Sequence, residues 1–227
     1  MSIDYSPKIV SDGLVCYFNF ANTKSYSGTG TSASDLSGYN NAAALQNSPT
    51  FDSSNYGNLS LNGTNNRIAI TPASNLIRNY NSTTMFTVKL PLWSGSQRCI
   101  LSYRGSGGGG LYLAKQSNGI FAYYNGLNNP AYTVGNLSDN SLIIAHVTCN
   151  NTNNTLGIYI NGILTGSVSR TGWVSTYASS AFYLGYDNGG TNEYMLGNFY
   201  QFAHYNKVLS SSEILNNYNA LKNRFGL

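Results

Sequence analysis

Eight carboxylates are all the acid this chain carries: Asp4, Asp12, Asp35, Asp52, Asp139, Asp187, Glu193 and Glu213. Glycosidic hydrolysis usually takes two, about 5–5.5 Å apart for retention or 6.5–9.5 Å for inversion. None of the eight stand at alternate positions, the spacing that puts two side chains on one face of a strand. The one close pair is Asp187 and Glu193, in Asp187-Asn188-Gly189-Gly190-Thr191-Asn192-Glu193. On a glycine-rich loop such acids act as turn formers, because Asx side chains hydrogen-bond to nearby backbone. Asp187, Asn188, Asn192 and Glu193 could also offer oxygens to calcium, which takes six to eight ligands. The expectation is no catalytic residue, no metal and no cofactor, with calcium at this loop as the weaker alternative.

The other reactive side chains are equally sparse. His146 and His204 sit in apolar runs, with no serine nucleophile motif or carboxylate nearby to build a triad. They are expected in the core or on a sheet face. Cys16, Cys99 and Cys149 are odd in number and widely spaced, which is neither a disulfide framework nor a zinc signature. Buried thiols are expected, and a pair can bridge only if two of their strands are adjacent. The glycine run at 105–110 lacks the lysine and following helix of a phosphate loop; it reads as a hairpin loop.

Aromatic residues are the enriched resource: nineteen tyrosines and two tryptophans in 227 residues. Tyrosine rings with hydroxyl handles suit interfaces and can stack on sugar rings. Tyr103, Tyr112, Tyr123 and Tyr124 fall on three consecutive expected strands, with Asn125 and Asn128 following in a loop. This is the candidate glycan surface. The competing expectation is that about half of the tyrosines pack in the core with hydroxyls at its rim.

The elements that position these residues are short apolar runs broken by Gly, Asn, Ser and Asp. Strands are expected near 13–20, 58–61, 67–70, 84–93, 98–103, 110–115, 119–124, 142–149, 156–160, 163–168, 181–186 and 198–205. Such spacing signals a sandwich or barrel. Leu156, Ile158 and Ile160 alternate with Gly157 and Tyr159, and Asn161-Gly162 then joins this run to the next. Asn-Gly favours the type I′ turn of a tight hairpin. One helix is expected near 210–223, with Ser210 and Glu213 as a capping box. Ile214, Leu215, Tyr218 and Leu221 form its apolar stripe. Lys222 and Arg224 suit its C-terminal dipole.

Composition narrows the class. Hydrophobic residues make up 41%, enough for a core, and only 9% of residues are charged, against a usual share of roughly 25%. The net charge of +4 is spread along the chain, without the basic stripe that nucleic acid would require. No apolar run approaches a membrane span, and the first residues lack a basic head and apolar core, so no secretory signal is expected. The simplest organisation is an N-terminal arm at 1–12 and one domain at 13–227. The fold class is all-β, an antiparallel two-sheet sandwich with one short C-terminal helix.

Three ordered segments carry a resemblance. Gly13-Leu14-Val15-Cys16-Tyr17-Phe18-Asn19-Phe20 is followed by Asp35-Leu36-Ser37-Gly38. Leu59-Ser60-Leu61-Asn62-Gly63-Thr64-Asn65-Asn66-Arg67-Ile68 forms a strand–Asn-Gly–strand corner. Leu156 to Gly162 precedes a final strand at 199–205 and Val208-Leu209-Ser210-Ser211-Ser212-Glu213-Ile214. In order and spacing these resemble the laminin-G-like, concanavalin-A-like lectin and glucanase superfamily over nearly the whole chain. The resemblance implies a jelly-roll sandwich used for binding. The corner carries Asn where relatives often carry Asp, which weakens any cation site there.

Ser25-Tyr26-Ser27-Gly28-Thr29-Gly30 and the ending Asn217-Tyr218-Asn219-Ala220-Leu221-Lys222-Asn223-Arg224-Phe225-Gly226-Leu227 are similar to free-standing laminin-G-like structural proteins of tailed bacteriophages. That likeness implies a non-catalytic virion structural or decoration protein, made in the host cytoplasm and docking on capsid or tail. Its partners would be other virion proteins or further copies of itself. The alternative is a carbohydrate-binding module for a host surface glycan; a glycoside hydrolase ranks third.

Overall fold

The structure is a computed structural model. It describes residues 8–71, 81–91, 98–104, 110–115, 120–125, 132–136, 140–169, 181–188 and 193–227; for 104, 110, 120–125 and 132–136 the description covers the backbone only. The first seven residues of the expected arm, Asn128, Asn192 and most of the glycine loop, 105–109, lie outside the described residues.

The first sheet contains β1 (Leu14–Asn19), β4 (Thr50–Asp52), β5 (Asn58–Asn62), β7 (Ser82–Lys89), β12 (Leu142–Asn150), β13 (Thr155–Ile160), β14 (Ile163–Ser169) and β16 (Leu196–Tyr205). The second contains β2 (Ser32–Ser34), β3 (Ala42–Gln46), β6 (Arg67–Thr71), β8 (Arg98–Arg104), β9 (Gly110–Lys115), β10 (Ile120–Asn125), β11 (Tyr132–Asn136) and β15 (Phe182–Leu184). Every pairing is antiparallel. The first sheet runs β14-β13-β12-β7-β16-β5-β4, with β1 also on β16; the second runs β11-β10-β9-β8-β15-β6-β3-β2. The result is the expected all-β, jelly-roll-like sandwich.

Alternation explains the layers. Phe86, Val88, Ala145, Val147, Leu156 and Ile158 of the first sheet point inward, against Ile68, Ile70, Leu113, Phe182 and Leu184 of the second. Burying each of the larger side chains contributes about 1.5–3 kcal/mol. In β16 both Phe199 and Phe202 enter this core, although they stand an odd three positions apart. A register shift between Phe199 and Gln201 supplies the extra residue. It leaves Tyr200, Ala203 and Tyr205 on the opposite face, in a second apolar layer.

The helix α1 (Ser211–Phe225) roofs that second layer. Ser210 and Glu213 form the expected capping box, and Gly226 closes the helix in the left-handed region at φ 67°. The expected stripe needs correction: Leu215 is 46% exposed, and the buried residues are Ile214, Asn217, Leu221 and Phe225. Those four share one side at helical spacing, with a polar residue at the centre. Ile9 and Val10, from the second half of the expected arm, pack on the same layer.

Asparagine and aspartate side chains hold the corners. Asn62 Oδ1 accepts from the backbone N–H groups of Thr64, Asn65 and Asn66, at 3.0, 3.1 and 3.2 Å. Asp35 accepts from the N–H groups of Tyr17, Ser37 and Asn41, the Ser37 hydroxyl and the Asn41 amide. The Asn161-Gly162 turn has φ 51° and 80°, as the tight hairpin requires. Cys16, Cys99 and Cys149 are all buried and none forms a disulfide. Among the described residues, no helix is long and apolar enough to cross a membrane.

Candidate functional site

The outer face of the second sheet brings together side chains from three parts of the chain. Phe182 and Leu184 of β15 point into the core, so Tyr183 between them points outward. Gln46 and Arg67 face each other across β3 and β6, outward because Leu45 and Ile68 are inside. Strict alternation would send Tyr186 to the side opposite Tyr183. Gly185 intervenes with φ 76°, a conformation that favours glycine, and the two rings meet edge-on with centroids 5.4 Å apart. Tyr186 bridges to Tyr194 across the hairpin, and their rings lie 4.8 Å apart. The Arg67 guanidinium lies 4.5 Å from the Tyr186 ring centre and 5.7 Å from that of Tyr183. All four side chains are half-buried.

The acids of the glycine-rich loop lie beside this patch. Asp187 is buried, and its Oδ1 accepts from the Ser102 hydroxyl at 3.2 Å. The Tyr112 hydroxyl donates to Glu193 Oε2. Burial, with the carboxylates close by, pushes the Tyr112 phenol far above its ordinary range. Arg98 donates to the carbonyls of Gly63 and Tyr194. Burial pulls its guanidinium below the ordinary value, and the Glu193 charge opposes that pull. Of the four residues considered for calcium, Asp187 and Glu193 thus hold neighbouring hydroxyls, Asn188 is half-buried, and Asn192 is outside the described residues. Among the described residues no group of three His, Cys, Asp or Glu stands close enough to hold a metal.

Of the tyrosines expected to form a glycan surface, Tyr103 and Tyr112 have described side chains, and both are buried. Tyr103 is buried in the main core, stacked on Phe182 at 6.1 Å. Tyr112 is on the opposite face and 1% exposed. Tyr103 pairs with Leu111, and Ser102 with Tyr112, so pleat alternation sends Tyr103 and Tyr112 to opposite sides. The backbone of Tyr123, Tyr124 and Asn125 continues the sheet, with Tyr124 opposite Tyr112. Their side chains, and Asn128 entirely, lie outside the description. Arg67, Tyr183, Tyr186 and Tyr194 were not among the expected site residues. The available signal was tyrosine at both ends of the glycine-rich loop.

A concavity of about 440 Å³ lies elsewhere, lined by Asn81, Asn150, Thr152, Asn153, Asn206, Lys207 and Val208. Several of its polar atoms are engaged internally. Asn81 Oδ1 accepts from the Asn151 N–H at 2.7 Å, and Asn150 Oδ1 from the Asn153 N–H at 3.0 Å. Lys207 is paired with Asp12 and Glu213 at 2.6 and 2.8 Å. These bonds shape turns rather than present a row of unsatisfied groups. The histidines are structural, as expected. His204 Nδ1 is 2.9 Å from the Thr84 hydroxyl, and burial lowers His146 to about 3.

Two antiparallel sheets of this topology, with an aromatic patch on an outer face, define a lectin-like sandwich. The chain belongs to the concanavalin A-like lectin/glucanases superfamily, whose Laminin_G_3 model matches residues 62–215. No curated protein sequence matches significantly. Among solved structures, it is similar to the binding domain of Botulinum neurotoxin DC in complex with rat synaptotagmin II. The TM-score there is 0.73 at 17% identity, covering 93% of this chain and 52% of that one. It is also similar to Trypanosoma rangeli sialidase, with TM-score 0.71 at 20% identity, covering 93% of this chain and 33% of the sialidase. The Botulinum neurotoxin type G receptor binding domain gives 0.68 at 17% identity, covering 91% and 51%. The chain thus spans a third to about half the length of these proteins, and at such identities the likeness is one of fold.

Proposed function

We propose that this chain is a non-catalytic structural or decoration protein of a bacteriophage virion, docking on capsid or tail through its lectin-like sandwich. The observation that carries the non-catalytic part is that the acid pair of the glycine-rich loop is engaged by neighbouring side chains, while Asp12 and Glu213 are both tied to Lys207. Asp187 is buried against Ser102, and Glu193 is held by Tyr112. Neither is presented as a pair flanking an open cleft, which glycosidic chemistry requires. The virion part is supported by the likeness of 25–30 and 217–227 to phage structural proteins and by the charge-poor, tyrosine-rich composition, which suits protein interfaces. Its partners are other virion proteins or further copies, its location is the particle, and no metal is required. The test is mass spectrometry of gradient-purified particles from lysates that contain the chain. It should co-sediment in stoichiometric amount, and recovery only in the soluble fraction would remove the reading.

A second reading is favoured by the outward Tyr183, Tyr186, Tyr194 and Arg67 patch: recognition of a host surface glycan. The similar structures include a receptor binding domain, which supports a recognition role without naming a ligand here. A glycan array run with and without calcium checks this, and signals at background in both would count against it. Hydrolysis ranks third. Activity on laminarin, agar or carrageenan abolished by Asp187→Ala would reverse the order.

A further inference from the structure

We infer that the outer face of the second sheet is a site for an acidic saccharide, with Arg67 reading its carboxylate or sulfate. The inference rests on the glycan-recognition reading and adds the chemical class of the ligand.

Arg67 is built like a preoriented anion fork. Its Nε donates to Gln46 Oε1 at 2.5 Å. Its plane rests on Tyr186, with Tyr183 beside it. These contacts fix the guanidinium in two ways but, among the described residues, leave both terminal nitrogens without a protein acceptor and the side chain without an ion pair. An arginine held this way has its donors set before a ligand arrives, and planar two-oxygen acceptors match that fork. The two acids of the adjoining loop are already engaged, Asp187 by Ser102 and Glu193 by Tyr112 and the nearby Arg98.

The surface next to the fork is exposed at β3. Ala69 pairs with Ala44 on one side and with Tyr183 on the other. Ala42 and Ala44 are exposed and Ala69 is buried, so the open floor of methyl groups is that of β3, with Tyr183 beyond it as a wall. A pyranose ring laid on that floor against the half-buried Tyr183 ring would use its apolar face. Its acidic substituent would then lie within reach of Arg67. A neutral sugar could use the floor and the wall but would leave the cation unanswered.

The test is calorimetric titration of the full chain with three oligosaccharides: oligogalacturonate for carboxylate, a carrageenan oligosaccharide for sulfate, and a cello-oligosaccharide as the neutral arm. At least one acidic arm should bind about tenfold or more tighter than the neutral one and weaken as salt rises. Arg67→Lys, which keeps the charge and loses the fork, should lose about tenfold on that arm. The acidic arm that binds identifies the group read. Should Arg67→Lys fail to fold in a thermal melt, Gln46→Ala takes its place, since it frees the guanidinium without removing it. A weaker acidic arm is then expected, and unchanged affinity overturns the inference. Equal binding of neutral and acidic arms, unaffected by Arg67→Lys and abolished by Tyr183→Ala, would overturn the acidic class while leaving glycan recognition standing. Binding of none of the three would remove both.

Discussion

Asn217 Nδ2 donates to the Tyr205 hydroxyl at 3.1 Å, linking the inner side of the helix to the last strand of the first sheet. The same amide accepts from the Val10 N–H at 2.7 Å through its oxygen. One side chain therefore ties three segments of the chain together inside an apolar layer. Buried polar groups of this kind are costly when a partner is removed. Asn217→Leu keeps the volume and leaves the Val10 N–H and the Tyr205 hydroxyl without their partner. A loss of about 2–4 kcal/mol is expected, read as a lower urea midpoint with unchanged slope. A variant as stable as the parent would show that water or relaxation replaces those bonds.

His146 lies 3.5 Å from the same amide and is fully buried. Burial lowers its folded pKa to about 3, against about 6.5 in an unfolded chain. The sign follows from proton counts. Between those values the unfolded chain binds a proton that the folded one does not. Stability from this group is therefore complete above about pH 6.5 and is lost progressively as pH falls toward 3, at up to about 1.4 kcal/mol per pH unit. His146→Gln should flatten that slope in unfolding measurements from pH 7 to 4. An identical slope in both proteins would assign the acid sensitivity to other groups.

Gly185 sets the angle between Tyr183 and Tyr186. A Cβ placed there would come within 2.4 Å of Leu61 Cδ1, a core atom, and φ is 76°. Gly185→Ala is expected to cost about 1–3 kcal/mol and to turn Tyr186 away from Arg67. The melting temperature reports the first effect. Loss of saccharide binding at temperatures where the variant remains folded reports the second. A variant with parental melting temperature and affinity would mean that the hairpin tolerates a side chain here.

Several elements were legible in the residues themselves. Local rules decide them: Asn161-Gly162 supplies the two positive φ angles of a tight turn, and Ser210 with Glu213 satisfies a helix start without outside help. Alternating apolar residues marked most of the long strands. β2 and β4, three residues each, were not legible. β3 was missed because Ala-Ala-Ala-Leu-Gln has weak strand propensity; pairing with β6 on one side and β2 on the other makes it a strand.

The sequence by itself determined the class of the molecule. Short alternating runs broken by turn residues specify an antiparallel sandwich, because each of those features acts within a few residues. It placed the binding tyrosines at 103, 112, 123 and 124, where the two with described side chains are buried. Only the tertiary structure brought Gln46, Arg67, Tyr183 and Tyr186 to one outer face. Three strands far apart in the chain must pair in register for that, and a single glycine must break the alternation that would otherwise send Tyr186 to the opposite side. Cross-strand register is settled by the packing of the whole sandwich, and no local rule says that Gly185, among the chain's glycines, breaks the alternation there.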